Sequence, residues 1–307
     1  MRHSPHKVRL RVTSDLHVEK LRNGYSHQTM RDLVRDPDVH HAAVMAGDLA
    51  FAADSASVAR DIYPNACAIV LVPGNHEGYG CREGWDAAVA LMRQGAARLP
   101  GVHVLHDDVL DLPLPCGASE TMVRFVGTTL WTDYELFGDA RSAMEACNLR
   151  LNDVRCIGGA DNAPRHDAAA ARERHLRSRA WMHEILAATP EDIPLVAVTH
   201  HLPSRRSVHP KWRKYAGTPG FASNADELLG RAHLFVHGHT HDSHLWRHRA
   251  AADERPTLVV CNPLGYARPK WENTHFDPRL DVVLRRVVPR DGTPADWKAE
   301  RAKPFGA

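Results

Sequence analysis

Short apolar runs alternate with longer stretches of helical periodicity along the chain. The runs predict strands at 8–14, 42–46, 68–72, 102–106, 122–129, 195–199, 233–237, 244–247, 257–261 and 280–286. The periodic stretches predict helices at 55–63, 83–99, 140–151, 168–187 and 225–229. The segment 168–187 is rich in Ala and Arg, both good helix formers. Strands interleaved with helices are the mark of an α/β fold. Pro and Gly punctuate 111–118, which reads as a turn region. They also punctuate 202–220, with Pro203, Pro210, Gly217, Pro219 and Gly220. A loop that long inside a folded unit is often functional. From about residue 289 the chain mixes charge, Pro and Gly and reads as a loosely held tail. No repeat and no linker divides the sequence, so a single domain over 1–307 is expected.

Five of the apolar runs end in polar clusters. The first leads into Asp15-Leu16-His17 and the second into Gly47-Asp48. The third leads into Gly74-Asn75-His76-Glu77. The fourth ends in His200-His201 and the fifth in Gly238-His239-Thr240-His241. In α/β sheets, sites form outside the carboxyl ends of the strands. If these strands are neighbours, all five clusters meet at one edge.

The residue types then make metal sense. Asp15, Asp48 and Asn75 offer oxygen, and His17, His200, His239 and His241 offer imidazole nitrogen. Asp48 has two oxygens and can bridge two ions, so seven side chains can supply four donors to each. Mixed imidazole and carboxylate ligation suits Mn, Fe, Zn or Co better than Ca or Mg. Two ions about 3.5–4 Å apart clamp a phosphate and turn bound water into hydroxide. Gly47, Gly74 and Gly238 each directly precede a ligand. A glycine there lets the chain turn sharply off a strand and approach an ion closely.

Asp-x-His, Gly-Asp and His-His are weak taken singly, and Gly-Asn-His-Glu and Gly-His-x-His after a strand are more specific; together and in this order they resemble the calcineurin-like metallophosphoesterase superfamily. The resemblance rests on Asp15-Leu16-His17, Gly47-Asp48, Gly74-Asn75-His76-Glu77, Thr199-His200 and Gly238-His239-Thr240-His241, and spans positions 15 to 241. It implies two β-sheets packed face to face with helices outside. It implies two divalent or trivalent transition-metal ions (Mn, Fe or Zn) as cofactors. One is held by Asp15, His17, Asp48 and His241, the other by Asp48, Asn75, His200 and His239. His76 is implied as the acid that protonates the leaving oxygen. Many members carry Gly-Asp-x-x-Asp, whereas here Leu49, Ala50 and Phe51 follow Asp48. That departure weakens any link to the protein-phosphatase branch. Asn262-Pro263-Leu264-Gly265-Tyr266, with Thr129-Leu130-Trp131-Thr132-Asp133, looks like a bacterial subgroup of small phosphoesterases.

The expected activity is hydrolysis of a phosphodiester or phosphomonoester by a metal-bridging hydroxide, with a small, nucleotide-like substrate favoured and diesters preferred. The loop 203–220 carries Arg205, Arg206, His209, Lys211, Arg213 and Lys214 and no acidic residue. Arg205 and Arg206 are therefore candidate phosphate contacts, and Trp212, Tyr215 and Phe221 candidate stacking partners for a base. A solvated loop with aromatic anchors explains the same residues. Tyr79 is placed at the rim by the turn after the fourth motif residue. His201 is either a substrate contact or a packing residue. His237 and His244 flank the last motif as candidate supports for its ligands. Of the 22 histidines, others such as His40, His103, His175, His183 and His275 read as surface or core residues.

Charge narrows the partners. Lys plus Arg number 39 against 37 Asp plus Glu, a net charge of +2. One short basic loop and a near-neutral chain argue against long nucleic acid. The longest apolar run, 66–73, is far short of the ~20 residues of a membrane span. The start has no apolar stretch or cleavage site of a leader, so a cytoplasmic protein is expected. Six cysteines show no CxxC pair and read as free thiols. Oligomeric state is not written in the sequence. Two alternatives remain: a nuclease acting on short nucleic acid, and a non-catalytic metal-binding scaffold. A scaffold should have lost ligands or the acid, and none is missing here.

Overall fold

Along the first strand Val8, Leu10 and Val12 alternate with polar residues and are fully buried. They meet Phe125, Val196, Val198, Val236 and Val260 of a second sheet in one apolar layer. The computed structural model describes residues 7–20, 32, 42–159, 165–251, 255–266, 272–287 and 296–302. Its strands are β1 Lys7–Thr13, β2 Ala42–Met45, β3 Ala68–Leu71, β4 Val102–Val104, β5 Asp108–Cys116, β6 Ser119–Thr128, β7 Leu195–Thr199, β8 Leu234–His237, β9 His244–His248, β10 Thr257–Cys261, β11 Asp281–Val287 and β12 Asp296–Arg301. One six-stranded sheet runs β12-β11-β1-β2-β3-β4 and the other β5-β6-β7-β8-β10-β9. In the first, β1 to β4 are parallel; in the second, β6, β7, β8 and β10 are parallel. Parallel strands covered on both faces need apolar residues on both. Hence β3 and β7 are buried at every position.

Helices cover the outer faces. Ala52–Ile62 (α1) and Trp85–Ala96 (α2) lay Ala56, Ala59, Ile62, Ala88 and Met92 over Met45, Ile69 and Leu71. Ala140–Arg150 (α3) and Asp153–Cys156 (α4) precede the long helix Ala168–Ala188 (α5). Met182 and Leu186 of α5 pack on Val126, Ala197 and Phe235 of the second sheet. The sandwich of two mixed sheets between helices is the expected α/β architecture. Among the described residues no helix is long and apolar enough to cross a membrane.

Three local expectations are corrected. The turn region at 111–118 is mostly strand: β5 runs to Cys116 and pairs antiparallel with β6. Pro113 and Pro115 are tolerated because β5 is an edge strand, where an N–H facing outward is not missed. The loose tail from about 289 does not hold for Asp296–Arg301, which pairs with β11 and buries Trp297 and Ala299. The α-helix at 225–229 is a 3₁₀ turn, Asp226–Arg231, with Gly230 inside it.

Candidate active site

The carboxyl ends of β1, β2 and β3 in one sheet and of β7 and β8 in the other converge, as expected from the five clusters. Asp15, His17, Asp48, Asn75 and His200 are all buried. Five of the seven sequence-predicted ligands have left-handed backbone: Asp15 (φ 51), His17 (φ 46), Asp48 (φ 55), His239 (φ 70) and His241 (φ 50). Non-glycine residues rarely adopt this region, and such strain concentrates at functional sites. Gly47 (φ 83) takes the same turn just before Asp48. Gly74 has ordinary backbone but no room for a side chain, since a Cβ would meet the Asp48 carboxylate and, at 2.5 Å, the Asp48 amide.

The imidazoles come in facing pairs. His17 Nε2 lies 2.9 Å from His241 Nε2. The Nδ1 of each ring points at a carboxylate: Glu19 at 3.0 Å for His17 and Glu272 at 2.7 Å for His241. With both Nδ1 atoms turned to carboxylates, the two Nε2 atoms face one another and a positive charge, proton or metal ion, is needed between them. In the second group His200 and Asn75 are fixed by outer bonds in the same way, whereas His239 Nε2 is buried without a hydrogen-bond partner among the described residues. His200 Nδ1 donates to the Ala46 carbonyl at 2.8 Å. Its Nε2 then faces Asn75 Oδ1 at 3.0 Å and His239 Nδ1 at 3.1 Å. Asn75 Nδ2 donates to Asp153 at 2.8 Å, which leaves its oxygen as the inward atom. Acceptors that face acceptors are satisfied by a cation between them. Outer hydrogen bonds that fix the ring tautomer are what metal-binding histidines need.

The grouping of donors is that of two adjoining centres: Asp15, His17 and His241 in one, Asp48, His200 and His239 in the other. Asp48 lies between them, its Oδ2 at 3.7 Å from His17 Nε2 and 3.5 Å from His200 Nε2. The residues fit a pair of transition-metal ions. Electrostatics agree. Burial pulls both rings down, yet Asp48 holds His200 up at about 9, and Asp15 with Glu272 holds His241 up at about 10. Burial works against the Asp48 carboxylate too, but His200, His76 and His17 keep it well below its usual range. This is a deep well for positive charge.

His76 stands beside the ligands. Its Nδ1 faces Glu19 at 2.9 Å, its Nε2 faces the Tyr266 hydroxyl at 3.1 Å, and its ring stacks on Tyr79 at 4.1 Å. Burial lowers His76, but Asp48 and Glu19 outweigh it and the ring is pushed up. Tyr266 is brought here because Leu264 and Gly265 donate backbone hydrogen bonds to Ser14 and Asp15. The Glu77 carboxylate accepts from the amides of Asp48, Leu49 and Gly74 and so ties the end of β2 to the end of β3.

The other sequence-predicted contacts fare differently. Tyr79 is a wall, not a rim: it is buried and its hydroxyl donates to Asp153 at 2.6 Å. His201 is fully buried, with rings of Trp131 and His239 against it, so it packs. Arg205 and Arg206 lie outside the lining of the site, because their guanidinium groups sit over Phe137 and Trp246. Lys211 is paired with Asp242 at 2.7 Å. Among the described residues the lining includes one guanidinium, that of Arg150 at the end of α3. Trp212, Tyr215 and Phe221, the candidate stacking residues, line a cavity of about 310 Å³ together with His76, His239 and Tyr266. His175 is a core residue, hydrogen-bonded to the Leu130 carbonyl at 3.0 Å, and His40 lies outside the described residues. All six cysteines are free.

Sequence reasoning missed Glu19, Asp153 and Glu272, the three carboxylates that orient His17, His76, Asn75 and His241. Glu19 left a faint trace in the alternation Asp15-x-His17-x-Glu19. Asp153 and Glu272 left none, since nothing in the chain marks which carboxylate will fold beside a ligand.

The profile of calcineurin-like phosphoesterases matches residues 8–243. The chain belongs to the calcineurin-like phosphoesterase family. This phosphoesterase is similar in structure to the phosphopantetheinyl hydrolase (PptH) of Mycobacterium tuberculosis, with a TM-score of 0.62 and 18% identity over 86% of this chain and 91% of that one. At that identity the likeness is one of fold. A second solved structure, the inner-membrane-complex anchor GAP50 of Plasmodium, matches with a TM-score of 0.46 and 11% identity over 98% and 90% of the two chains, too distant to carry an argument. No curated relative matches the sequence. Family and donor geometry together make this chain a metal-dependent phosphoric ester hydrolase.

Proposed function

We propose that this phosphoesterase is a dinuclear enzyme that prefers small, nucleotide-like phosphodiesters. The observation that carries the dinuclear reading is the double set of facing acceptors, His17 with His241 and His200 with Asn75 and His239, on either side of Asp48. When bound, Mn, Fe or Zn ions supply charge neutralisation and an activated water at this place. The chain supplies the rest. Glu19 anchors His76 through Nδ1 and leaves Nε2 directed at the cavity, where it can hand a proton to the departing oxygen. Tyr266 holds that Nε2 until a leaving group replaces the hydroxyl.

The cavity supports the substrate class. Its volume of about 310 Å³ lies at the small end of ligand pockets, about 300–1,000 Å³. Trp212, Tyr215 and Phe221 offer faces on which a base or another flat group stacks, and Arg150 offers a charge for a second anionic group. Such a site suits a small molecule rather than long nucleic acid.

The test is hydrolysis of bis-p-nitrophenyl phosphate beside p-nitrophenyl phosphate, by protein stripped with chelator and refilled with Mn²⁺. The expected result is metal-dependent turnover that favours the diester and disappears in Asn75→Ala. Equal or better turnover of the monoester would overturn the diester preference. No turnover of either, with two ions bound per chain, would favour a scaffold.

A further inference from the structure

We propose that His237, His244 and Cys261 form a separate mononuclear site for a transition-metal ion of the Zn²⁺ class, on the outer face of the second sheet. The three residues occupy one row across three neighbouring strands. Cys261 is the register partner of His237 in the parallel pair β8–β10 and of His244 in the antiparallel pair β9–β10. Side chains in one row share a face. That face is the outer one, because Phe235, Val259 and Trp246, each two residues away in its strand, all belong to the cluster beneath the helices. The donor atoms of the three residues lie within 4.8 Å of one another. His237 and Cys261 are buried, and His244 is partly so.

The hydrogen bonds leave two ring lone pairs facing one another. His237 Nδ1 is engaged with the Gly238 carbonyl at 3.1 Å, which makes Nε2 the lone-pair atom. Ser207 Oγ donates to that lone pair from 2.9 Å, and His244 Nε2 faces it at 3.0 Å while the His244 ring also bonds the Asp242 backbone. With Ser207 on the His237 lone pair, the two facing Nε2 atoms have no hydrogen bond between them. An ion resolves the conflict, with both Nε2 atoms and the sulfur turned toward it and Ser207 Oγ placed to complete four donors. The nitrogen spacing of 3.0 Å matches the 2.9 Å and 3.1 Å of the imidazole pairs in the main centre. Two nitrogens on a tetrahedral ion with bonds of ~2.0–2.1 Å stand about 3.3 Å apart, so little movement is needed. Burial keeps the Cys261 sulfur a thiol, and ion binding would release its proton to solvent.

The donor set separates this site from the main centre, which offers oxygen and nitrogen but no sulfur. Two imidazoles and a thiolate select Zn²⁺-like ions over hard cations. An ion here would clamp the end of β8, from which His239 and His241 emerge, to β10 and to the loop that carries Ser207. Its role is therefore structural.

Cobalt reads the sulfur directly. The full-length protein, stripped and refilled with Co²⁺, is expected to show a near-ultraviolet thiolate-to-cobalt absorption. His244→Asn and Cys261→Ser are each expected to lose that absorption and one equivalent of bound metal, while the metal of the main centre stays. His244 lies on an edge strand and is only partly buried, so its replacement leaves the core intact even if Cys261→Ser folds poorly. No thiolate absorption in the wild-type protein, or its survival in either variant, would overturn the proposal. Neither result touches the main centre, whose metal count is read independently.

Discussion

Five ligands sit in a backbone region that costs a non-glycine residue of order 1–3 kcal/mol each. The chain bears this because each strained residue is held from the other side. The His239 amide donates to both oxygens of Asp15 at 3.0 Å, and the amides of Asp15 and His17 donate to the carbonyls of Gly47 and Asp48. The ligand identities were legible in the sequence for a simple reason. Each lies in the short polar cluster that follows a buried run, and a run fixes where its strand must end. The carboxylates behind the ligands were not legible, since Glu19, Asp153 and Glu272 acquire their role only through what folds beside them. At this scale His76→Ala is informative. The ring touches no predicted ligand pair as a donor, so metal content should be kept. Turnover of substrates with poor leaving groups should fall by about 10²–10⁴. Nitrophenyl esters, whose leaving group needs no proton, should suffer less. Steady-state kinetics on an alkyl and a nitrophenyl ester decide it; an equal loss on both would remove His76 from the acid role.

Elements place these residues by ending in register. β1, β2 and β3 stop side by side, and β7 and β8 stop opposite them, so five short turns share one edge. The turns are packed against one another as tightly as a core. A Cβ on Gly74 would meet Asp48 and, at 2.8 Å, the Cε1 of His200. Gly74→Ala should therefore push the ends of β2 and β3 apart, lower stability by roughly 1–3 kcal/mol and reduce bound metal below the wild-type count. Thermal unfolding and metal analysis check both; a variant with full metal content and unchanged Tm would show that the turns are looser than this packing implies. Strands buried on both faces were readable as apolar runs, and all ten expected strands form. β5 was hidden by its two prolines, which forbid a central strand but not an edge. β12 was hidden because an edge strand needs only one apolar side: Trp297 and Ala299 face in while Lys298 faces out. The basic loop was readable as a loop, but not its direction. Arg206 turns away because Trp246 offers its guanidinium a face at 4.0 Å.

At the scale of the whole molecule the two sheets are joined in two ways, by the apolar layer between them and by polar stitches at the site edge. Ser14 bridges to Pro263, and the Asn262 side chain donates to the Val12 carbonyl at 2.8 Å. A further apolar cluster closes the flank of the site. It joins Tyr79 and Trp85 of the first half to Trp131, Tyr134, Cys147 and the start of α5 in the second. His166 rests on this cluster, its ring 4.1 Å from Trp131, and it is 4% exposed. Burial is the chief cause that lowers it to about 4 from 6.5. The sign follows directly. Below the unfolded value the unfolded chain takes up a proton that the folded chain refuses, so stability is full above pH 6.5 and is lost as the pH falls toward 4. Between pH 7 and pH 5 this one group should cost roughly 2 kcal/mol. Gln at this position titrates nowhere in that range. Urea unfolding of wild type and His166→Gln at the two pH values isolates the difference. The variant should lose roughly 2 kcal/mol less than the wild type on acidification, and parallel losses in the two proteins would mean that His166 is reached by water and that the flank opens more readily than the packing of Trp85 and Trp131 suggests.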